Sequence, residues 1–370
     1  MRLGSLPVIR QVPPLLRGVD GQTVLFESWH GEYSDNPRAI SEALRERDGS
    51  IRQIWANEGS KYRPNSRAYL EALGQAAKVI TNLHMPGYYR KKEETQYVQT
   101  WHGTPLKLIG FDIERFHFEG KERYVRNLTD DVSKWDTLIA QNRFSAEIFR
   151  RAFRFEGEIL ETGYPRNDVL SSPDRNEIRQ KVRNQLGIPR DCRAILYAPT
   201  WREKGGFSLE LDLARLTKEL GDDWRLMFRA HRIDAEAAEA LAHQGVIDVT
   251  GYPEVAELYL AADLLVTDYS SVMFDFAVTG KPMAFYTYDL EEYRDEVRGF
   301  YFDFESEAPG PLASTFSDLY EQLRDPEALA REHAGAYRRF AQRFCYLDDG
   351  RASERVLDAI FSPAPTSSSS

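Results

Sequence analysis

Two adjacent serines follow an apolar run in the stretch VTDYSSVMFDFA, which starts at Val266. The run predicts a strand that ends at Thr267, and the apolar residues after Ser271 recur with helical spacing. Ser270 or Ser271 therefore stands at the N-terminus of a helix, where free backbone N–H groups and the helix dipole suit a phosphate. Asp275, one turn further along, could reach a ribose hydroxyl. The alternative is that a serine only caps the helix, which is worth about 1 kcal/mol and needs no ligand.

A histidine follows a second predicted strand in YVQTWHGTPLK, where the strand is expected to end at Trp101. Histidine is the side chain best suited to moving a proton near neutral pH, which makes His102 a candidate general base. Gly103 leaves room for a ligand to approach the backbone, and Thr104 precedes a proline that permits a new helix to start. The alternative for a single histidine is a structural residue with satisfied hydrogen bonds.

Cationic side chains follow two further predicted strands. The strand that ends at Phe228 delivers Arg229 and His231. The stretch LYAPTWREKGG places Arg202 and Lys204 after another strand. Because ligands bind beyond the carboxyl ends of parallel strands, these side chains could neutralise a diphosphate without a metal ion. Surface charges in loops are the alternative for each of them taken singly. The sequence contains no metal-binding motif and no P-loop, so neither a metal nor another cofactor is expected.

The overall composition indicates two globular domains, since the chain has 370 residues, 29% of them charged and 42% apolar. Only Cys192 and Cys345 are present, so we expect neither a disulfide framework nor a zinc site, and a reducing, cytoplasmic setting. The N-terminal segment is interrupted by prolines and is predicted to be neither a secretory signal nor a membrane-spanning helix. The net charge of −10 argues against nucleic acid as a partner.

Basic and aromatic residues alternate in NRFSAEIFRRAFRF, which contains Arg143, Arg150, Arg151 and Arg154. One interpretation is an ordinary core-packing helix with a solvated, charged face. The other is a peripheral contact with anionic lipid on the inner face of the cell membrane, or with an anionic polymer.

Apolar runs of strand length alternate with helical patterns along most of the chain, which predicts βαβ units and parallel sheets. The predicted strands are 23–27, 51–55, 78–81, 97–101, 136–140, 158–161, 194–198, 224–228, 246–249, 263–267 and 282–286. A loop rich in Gly, Pro, Asn and Ser marks a domain junction near 169–189, and a long helix is expected at about 326–344. The predicted organisation is one α/β domain over 1–175, a second over 176–344, a segment 345–361 that packs back on the first domain, and a disordered tail over 362–370.

Six segments form a recognisable set: TWHGTPLKLIG from Thr100, TGYPRNDVL from Thr162, LYAPTWRE from Leu196, FRAH from Phe228, TDYSSVMFDFAVTGKPMAFYTYDLEEY from Thr267 and RGFYFDFESEAPGP from Arg298. Together they resemble the CDP-glycerol:poly(glycerol phosphate) glycerophosphotransferase family, which builds teichoic acids and related capsule polymers. The earlier VLFESWHGEYSDNPRAISEAL is similar to the opening of that family. The resemblance therefore spans most of the chain, with the segments in the family's order.

The resemblance implies a GT-B architecture, which is an α/β fold of two Rossmann-like domains with the active site in the interdomain cleft. It implies a CDP-activated donor on the C-terminal domain and an acceptor on the N-terminal domain. His102 and His231 match the two essential histidines of the family. The implied donor contacts are Arg202, Arg229, Thr250, Gly251, Tyr252, Ser270, Ser271 and Asp275, with cytosine near the turn at 250–252, and the acceptor-side candidates are Gly103 and Thr104.

The activity that the resemblance implies is transfer of glycerol phosphate from CDP-glycerol to a hydroxyl of a lipid-linked or polymeric glycan acceptor, with release of CMP. His102 would take the hydroxyl proton, and His231 with Arg229 would stabilise charge on the transferring phosphate. Three alternatives stay open: CDP-ribitol as the donor, a metal-independent GT-B glycosyltransferase that uses a sugar nucleotide, and a non-catalytic domain that binds nucleotide or polymer. The sequence does not separate a primase that adds one unit from a polymerase that adds many.

Overall fold

The structure, a computed structural model, describes residues 18–114, 120–200, 209–230 and 241–361. These residues form two compact units. The first contains 18–102, 120–168 and 347–361, and the second contains 103–114 and 169–346 with its two gaps. The units divide at 168/169 and 346/347, compared with the predicted boundaries at 175/176 and 344/345, and the short segment 103–114 groups with the second unit.

The described part of the chain contains strands at all eleven predicted places and one that was not predicted. In chain order they are β1 (Asp20–Glu27), β2 (Arg52–Ala56), β3 (Ala76–Thr81), β4 (Gln96–Gln99), β5 (Thr137–Ala140), β6 (Glu158–Glu161), β7 (Arg193–Tyr197), β8 (Trp224–Phe228), β9 (Val246–Asp248), β10 (Leu264–Thr267), β11 (Met283–Tyr286) and β12 (Leu312–Ala313). The prediction of parallel α/β units is confirmed, because every strand pairing in both sheets is parallel.

Helices connect most of these strands. The α-helices that lie wholly within the described residues are α1 (Asp35–Arg47), α2 (Arg67–Gln75), α3 (Lys121–Val132), α4 (Arg143–Ala152), α5 (Asp168–Ser171), α6 (Arg175–Gln185), α7 (Leu213–Leu220), α8 (Val255–Ala261), α9 (Val272–Phe276), α10 (Leu290–Glu292), α11 (Phe304–Glu307), α12 (Phe316–Leu323), α13 (Pro326–Glu332), α14 (Ala334–Phe344) and α15 (Ala352–Phe361). The single long helix expected at 326–344 is wrong in one respect, since His333 separates α13 from α14. None of the helices in the described ranges has the length and apolar character required to cross a membrane.

The first unit is built on a six-stranded sheet in the order β2-β1-β3-β4-β5-β6. Its strands present buried apolar side chains such as Val24, Phe26 and Ile80 to the helices that cover the sheet. The last helix, α15, belongs to this unit and places Val356, Leu357 and Ile360 in the same core as Ile40 and Leu44 of α1.

Two aspartates connect the end of the chain to the rest of the first unit. Asp168 accepts hydrogen bonds from the backbone N–H groups of Ala352 and Ser353, both at 2.8 Å, and so caps α15. Asp348 accepts from the Gln141 side chain at 2.8 Å and from the Asn167 side chain at 3.1 Å. The final segment is therefore part of the hydrogen-bond network of this unit.

The second unit has a six-stranded sheet in the order β12-β11-β10-β7-β8-β9. Counted from β7, this is the doubly wound arrangement of a dinucleotide-binding fold, in which β8 and β9 are added on one side of β7 and β10, β11 and β12 on the other. The segment 103–114 joins this unit through backbone pairing, because Lys107 and Phe300 form an antiparallel bridge and Leu108 donates to the Gly299 carbonyl at 2.8 Å.

The arginine-rich stretch lies on and just after α4. Phe149 and Phe153 are buried there, whereas Arg143 forms an exposed pair with Glu147 at 2.9 Å. This arrangement fits the interpretation as a core-packing helix with a charged outer face.

Candidate functional site

The loops after β7 and β10 lie at the topological switch point of the second sheet, where ligands bind in doubly wound folds. Thr267, the last residue of β10, donates its hydroxyl to the Ala198 carbonyl at 2.7 Å. The buried carboxylate of Asp268 accepts the backbone N–H of Thr200 at 2.8 Å. These two bonds fix the two strand ends against each other, which gives the following serines a rigid support.

Ser270 and Ser271 lie directly before α9 and are half-buried. The Ser271 side chain makes no capping hydrogen bond, and Ser270 Oγ accepts from the Val272 backbone N–H only at 3.5 Å. Plain capping therefore does not account for Ser271. The serines occupy the position predicted for them, and their contact with a donor phosphate stays a prediction.

Gly103 packs against one of these serines. A Cβ atom at position 103 would lie 2.8 Å from Ser271 Oγ and 3.2 Å from Ser271 Cβ. The space that the sequence suggested for a ligand at Gly103 is thus filled by Ser271. The neighbouring Thr104 is 1% exposed.

The ends of β8 and β9 are joined through Arg229. Its Nη1 atom donates to the carbonyl oxygens of Val249 and Tyr252, at 3.0 and 2.7 Å. Thr250 Oγ1 accepts from the backbone N–H of Ala230 at 3.1 Å. Arg229 and the turn at 250–252, which includes Gly251, therefore lie together, and the guanidinium stabilises that turn by hydrogen bonds. Their contact with a donor stays a prediction.

The remaining predicted residues are two for donor binding, Asp275 and Arg202, and the catalytic candidate His231. Asp275, on α9, is 2% exposed, so the carboxylate that was predicted to contact a ribose hydroxyl is buried in this structure. Arg202 and His231 lie outside the described residues.

The imidazole of His102 follows β4 in the first unit and reaches the end of the neighbouring strand β3. His102 Nδ1 lies 2.8 Å from the carbonyl oxygen of Asn82. A carbonyl can only accept, so this contact assigns the ring proton to Nδ1 and leaves Nε2 with its lone pair. The tautomer is the one that a general base acting through Nε2 requires.

The surroundings of His102 favour its neutral form. Burial lowers the pKa of His102 below its usual value, and the hydrogen bond to the Asn82 carbonyl and the nearby Asp35 carboxylate oppose this effect without cancelling it. Two indoles contact the ring: Trp101 stacks on it at 4.4 Å between centroids, and Trp29 is tilted against it at 5.1 Å. A neutral imidazole with one free nitrogen is thus held between two aromatic side chains.

Residues after β1 complete this site and were not proposed from the sequence. The Trp29 indole donates to Asp35 Oδ2 at 2.9 Å, and its backbone N–H donates to Asn82 Oδ1 at 3.2 Å. Asp35 also accepts two hydrogen bonds from the buried guanidinium of Arg166, at 3.1 and 3.0 Å. β1 and β3 flank the topological switch point of the first sheet, where ligands bind in such folds. Knowledge of the strand order would therefore have identified the residues after β1 as site candidates.

The backbone around His102 is unusual. Trp29, Asp35 and Trp101 have positive φ angles of 44°, 63° and 53°. Such conformations cost a non-glycine residue on the order of 1–3 kcal/mol each and cluster at functional sites. Three of them around one imidazole support the assignment of this region as a site.

Comparison with known proteins places the chain in a family. The family model described as CDP-Glycerol:Poly(glycerophosphate) glycerophosphotransferase matches residues 11–362. The chain is 41% identical to a teichoic acid poly(glycerol phosphate) polymerase of Bacillus subtilis, over 93% of this chain and 49% of that protein. It is 38% identical to a teichoic acid glycerol-phosphate transferase of Staphylococcus aureus, over 91% of this chain and 92% of that protein.

A solved structure supports the same assignment. The wall teichoic acid polymerase TagF, in a histidine-to-asparagine variant soaked with CDPG, has a TM-score of 0.86 and 36% identity, over 96% of this chain and 92% of that chain. This chain spans about half the length of the first two curated relatives that it matches, 49% and 51%. The chain belongs to the CDP-glycerol:poly(glycerophosphate) glycerophosphotransferase family.

Proposed function

We propose that this protein transfers glycerol phosphate from CDP-glycerol to a hydroxyl group of a lipid-linked or polymeric acceptor, in teichoic acid-like polymer synthesis. The observation that carries the chemistry is His102, whose Nδ1 faces the Asn82 carbonyl and whose pKa is lowered by burial. Nε2 is therefore ready to accept a proton near neutral pH. Membership of the family, and the printed activities of the relatives, support the choice of donor and product.

In the proposed reaction the acceptor oxygen attacks the β-phosphorus of CDP-glycerol. A new phosphorus–oxygen bond forms to the acceptor, and the bond from the β-phosphorus to the bridging oxygen breaks, so that CMP leaves with that oxygen. The acceptor proton passes to Nε2 of His102. Serine hydroxyls at 270 and 271 would donate to the diphosphate, and Arg229 would hold the turn at 250–252 that is proposed to contact cytosine. His231 and Arg202 are proposed, on the sequence alone, to stabilise the transferring phosphate.

The test begins with the choice of donor. Purified protein is offered CDP-glycerol, CDP-ribitol and a panel of UDP-sugars, with thermal shift reporting binding and nucleotide release reporting transfer. We expect stabilisation and CMP release with CDP-glycerol. CMP release with CDP-ribitol alone would show that the transferred group is ribitol phosphate. A response to UDP-sugars alone would favour the glycosyltransferase alternative.

The role of His102 is tested separately. His102→Ala should abolish CMP release and leave the affinity for CDP-glycerol almost unchanged, because the base acts on the acceptor. His333→Gln, between α13 and α14 in the second unit, is a matched control that should retain activity. Loss of donor binding in the His102 variant would contradict the assignment of this residue as the base.

The arginine face of α4 is the proposed place of membrane contact. Arg150 and Arg151 are exposed in the last turn of that helix. Sedimentation with vesicles that contain anionic lipid should bring down the protein, and an Arg150→Gln/Arg151→Gln variant should bind them less. Equal binding to neutral vesicles would contradict an electrostatic contact.

A further inference from the structure

The residue before the proposed base has a strained backbone. Trp101 has a φ angle of 53°, in the left-handed region that a bulky side chain rarely adopts. Such a conformation is unfavourable in itself and persists only where the surrounding structure holds it. Because His102 follows directly, the backbone of Trp101 sets the direction in which the imidazole leaves the chain. The groups that hold Trp101 therefore also determine where the proposed base lies.

Three buried side chains hold the backbone of Trp101. Gln99 Oε1 accepts the Trp101 backbone N–H at 2.9 Å, and the Thr100 hydroxyl donates to the Trp101 carbonyl at 3.1 Å. Asn36 Nδ2 donates to the same carbonyl at 3.2 Å. All three residues are 0% exposed. Gln99 and Thr100 are sequence neighbours of Trp101, whereas Asn36 lies 65 positions away on α1 and connects the strained conformation to another element of the fold.

The Asn36 side chain uses both ends of its amide. Nδ2 donates to the Trp101 carbonyl, and Oδ1 accepts the Arg166 backbone N–H at 3.1 Å. A carbonyl can only accept and a backbone N–H can only donate, so the two partners assign the orientation of the amide. An ionised aspartate at this position would satisfy Arg166 and would have no donor for Trp101. The asparagine amide serves both partners at once.

The contacts of the His102 ring depend on this arrangement. Its Nδ1 lies 2.8 Å from the Asn82 carbonyl oxygen, and the indole of Trp101 stacks on it at 4.4 Å between centroids. Rotation of the Trp101 peptide would move the imidazole relative to the Asn82 carbonyl. A misplacement of about 1 Å can reduce the rate of a reaction on the order of a hundredfold. The Asn36 amide is therefore placed to affect proton transfer without contact to the ring.

We propose that Asn36 is a positioning residue for the transfer reaction. Its amide holds the Trp101 carbonyl, and so keeps the His102 ring on the Asn82 carbonyl with Nε2 available to the acceptor hydroxyl. This inference rests on the proposed function, in which His102 is the base. Since Asn36 acts through the backbone of Trp101, substrate binding should not depend on it, whereas the chemical step should.

Two substitutions of Asn36 test this role by steady-state kinetics. Asn36→Ala removes both amide contacts, and Asn36→Asp keeps the acceptor for Arg166 while losing the donor for Trp101. With a soluble oligo(glycerol phosphate) as the acceptor, we expect kcat for CMP release to fall about tenfold or more in both variants. The KM values for CDP-glycerol and for the oligomer should each change less than about twofold. Asn36→Asp is close to isosteric and decides the kinetic test if the alanine variant does not fold.

Ser66→Ala is a matched control in the same unit. Ser66 caps α2 by accepting the Tyr69 backbone N–H at 3.1 Å, so its loss should destabilise the unit without a change in kcat. A fall in kcat no larger than that of Ser66→Ala would overturn the proposal, as would a change in either KM larger than the change in kcat. Full activity of Asn36→Asp beside an inactive Asn36→Ala would also overturn it, because the contact with Arg166 would then be the one that matters.

A measurement on His102 itself keeps the test independent of turnover. The histidine Cε1–H resonances of the full chain are titrated by NMR, and the His102 signal is identified by its absence in His102→Gln. Burial holds the pKa of His102 below 6.5 in the wild type, and the same is expected in Ser66→Ala. In Asn36→Ala the pKa should rise toward 6.5 as the ring leaves its buried position.

The charged and titratable neighbours of His102 do not change in this titration. They are Asp35, Arg166 and His84, and Asn36→Ala replaces none of them. A His102 pKa that is the same in Asn36→Ala and in the wild type would overturn the proposal. A raised pKa in a protein that releases no CMP would support the positioning role while refuting the proposed function.

Discussion

Replacing Gly103 with alanine tests whether the close packing at Ser271 matters for the donor. The new Cβ would lie 2.8 Å from Ser271 Oγ and 3.2 Å from Ser271 Cβ. Ordinary carbon contacts are about 3.5–4.0 Å, so the hydroxyl must move to another rotamer and the serine backbone must shift by a few tenths of an ångström. Overpacking of this kind costs about 1–3 kcal/mol. If the displaced hydroxyl contacts the donor, affinity for CDP-glycerol should fall by about tenfold, since 1.4 kcal/mol corresponds to one factor of ten.

The assay is a double-mutant cycle on the dissociation constant of CDP-glycerol, measured by calorimetry with Gly103→Ala, Ser271→Ala and the double variant. Because Gly103→Ala acts by displacing a hydroxyl that Ser271→Ala removes, the double variant should bind about as weakly as Ser271→Ala alone. Thermal denaturation shows whether each variant remains folded. Losses that multiply in the double variant would refute the reasoning, because the two changes would then act independently.

Four further predictions concern the first unit. Burial lowers the pKa of His102 from 6.5, so the rate of CMP release should rise with pH through an apparent pKa below 6.5 and then stay constant. A pH–rate profile whose rising part has an apparent pKa above 6.5 would contradict a buried neutral base. For the same reason the His102 ring binds a proton more weakly in the folded state than in the unfolded chain. The stability contributed by the neutral ring is therefore present above pH 6.5 and is lost as the pH falls through the lowered pKa. Urea unfolding of wild type and His102→Gln at several pH values should show this loss in the wild type alone. Asp35→Asn removes a carboxylate that pairs with the buried guanidinium of Arg166, and should lower the free energy of unfolding by about 3–5 kcal/mol. A loss below about 1 kcal/mol would contradict a large contribution of this ion pair to stability. Asp168→Ala removes the cap of α15 and should cost about 0.5–2 kcal/mol in urea unfolding, with little change in donor affinity.

The strands and their carboxyl ends were largely predictable, because buried parallel strands are short apolar runs bounded by polar residues. β12 was not predicted, since it contains only Leu312 and Ala313. The strand before His102 was predicted to end at Trp101 but ends at Gln99, because Trp101 has a positive φ that is incompatible with a strand.

Part of the candidate site was also predictable from strand ends alone. His102, Ser270 and Ser271 each follow the end of a strand by three or four residues, and position plus side-chain chemistry made them candidates. The ion pair between Asp35 and Arg166 joins residues 131 positions apart, and nothing local in the sequence announces such a contact. Its recognition required the order of the strands and the conformation of the loop after β1.

The return of the chain to the first unit has a consequence for folding during synthesis. The core of that unit needs Val356, Leu357 and Ile360, and its hydrogen bonds need Asp348, all of which leave the ribosome after the second unit. The second unit has all its described strands once residue 313 has emerged. The first unit, whose translation starts first, should therefore complete its fold after the second unit. In a nascent chain stalled before residue 347, the second sheet should be protected from protease while the first sheet is cleaved.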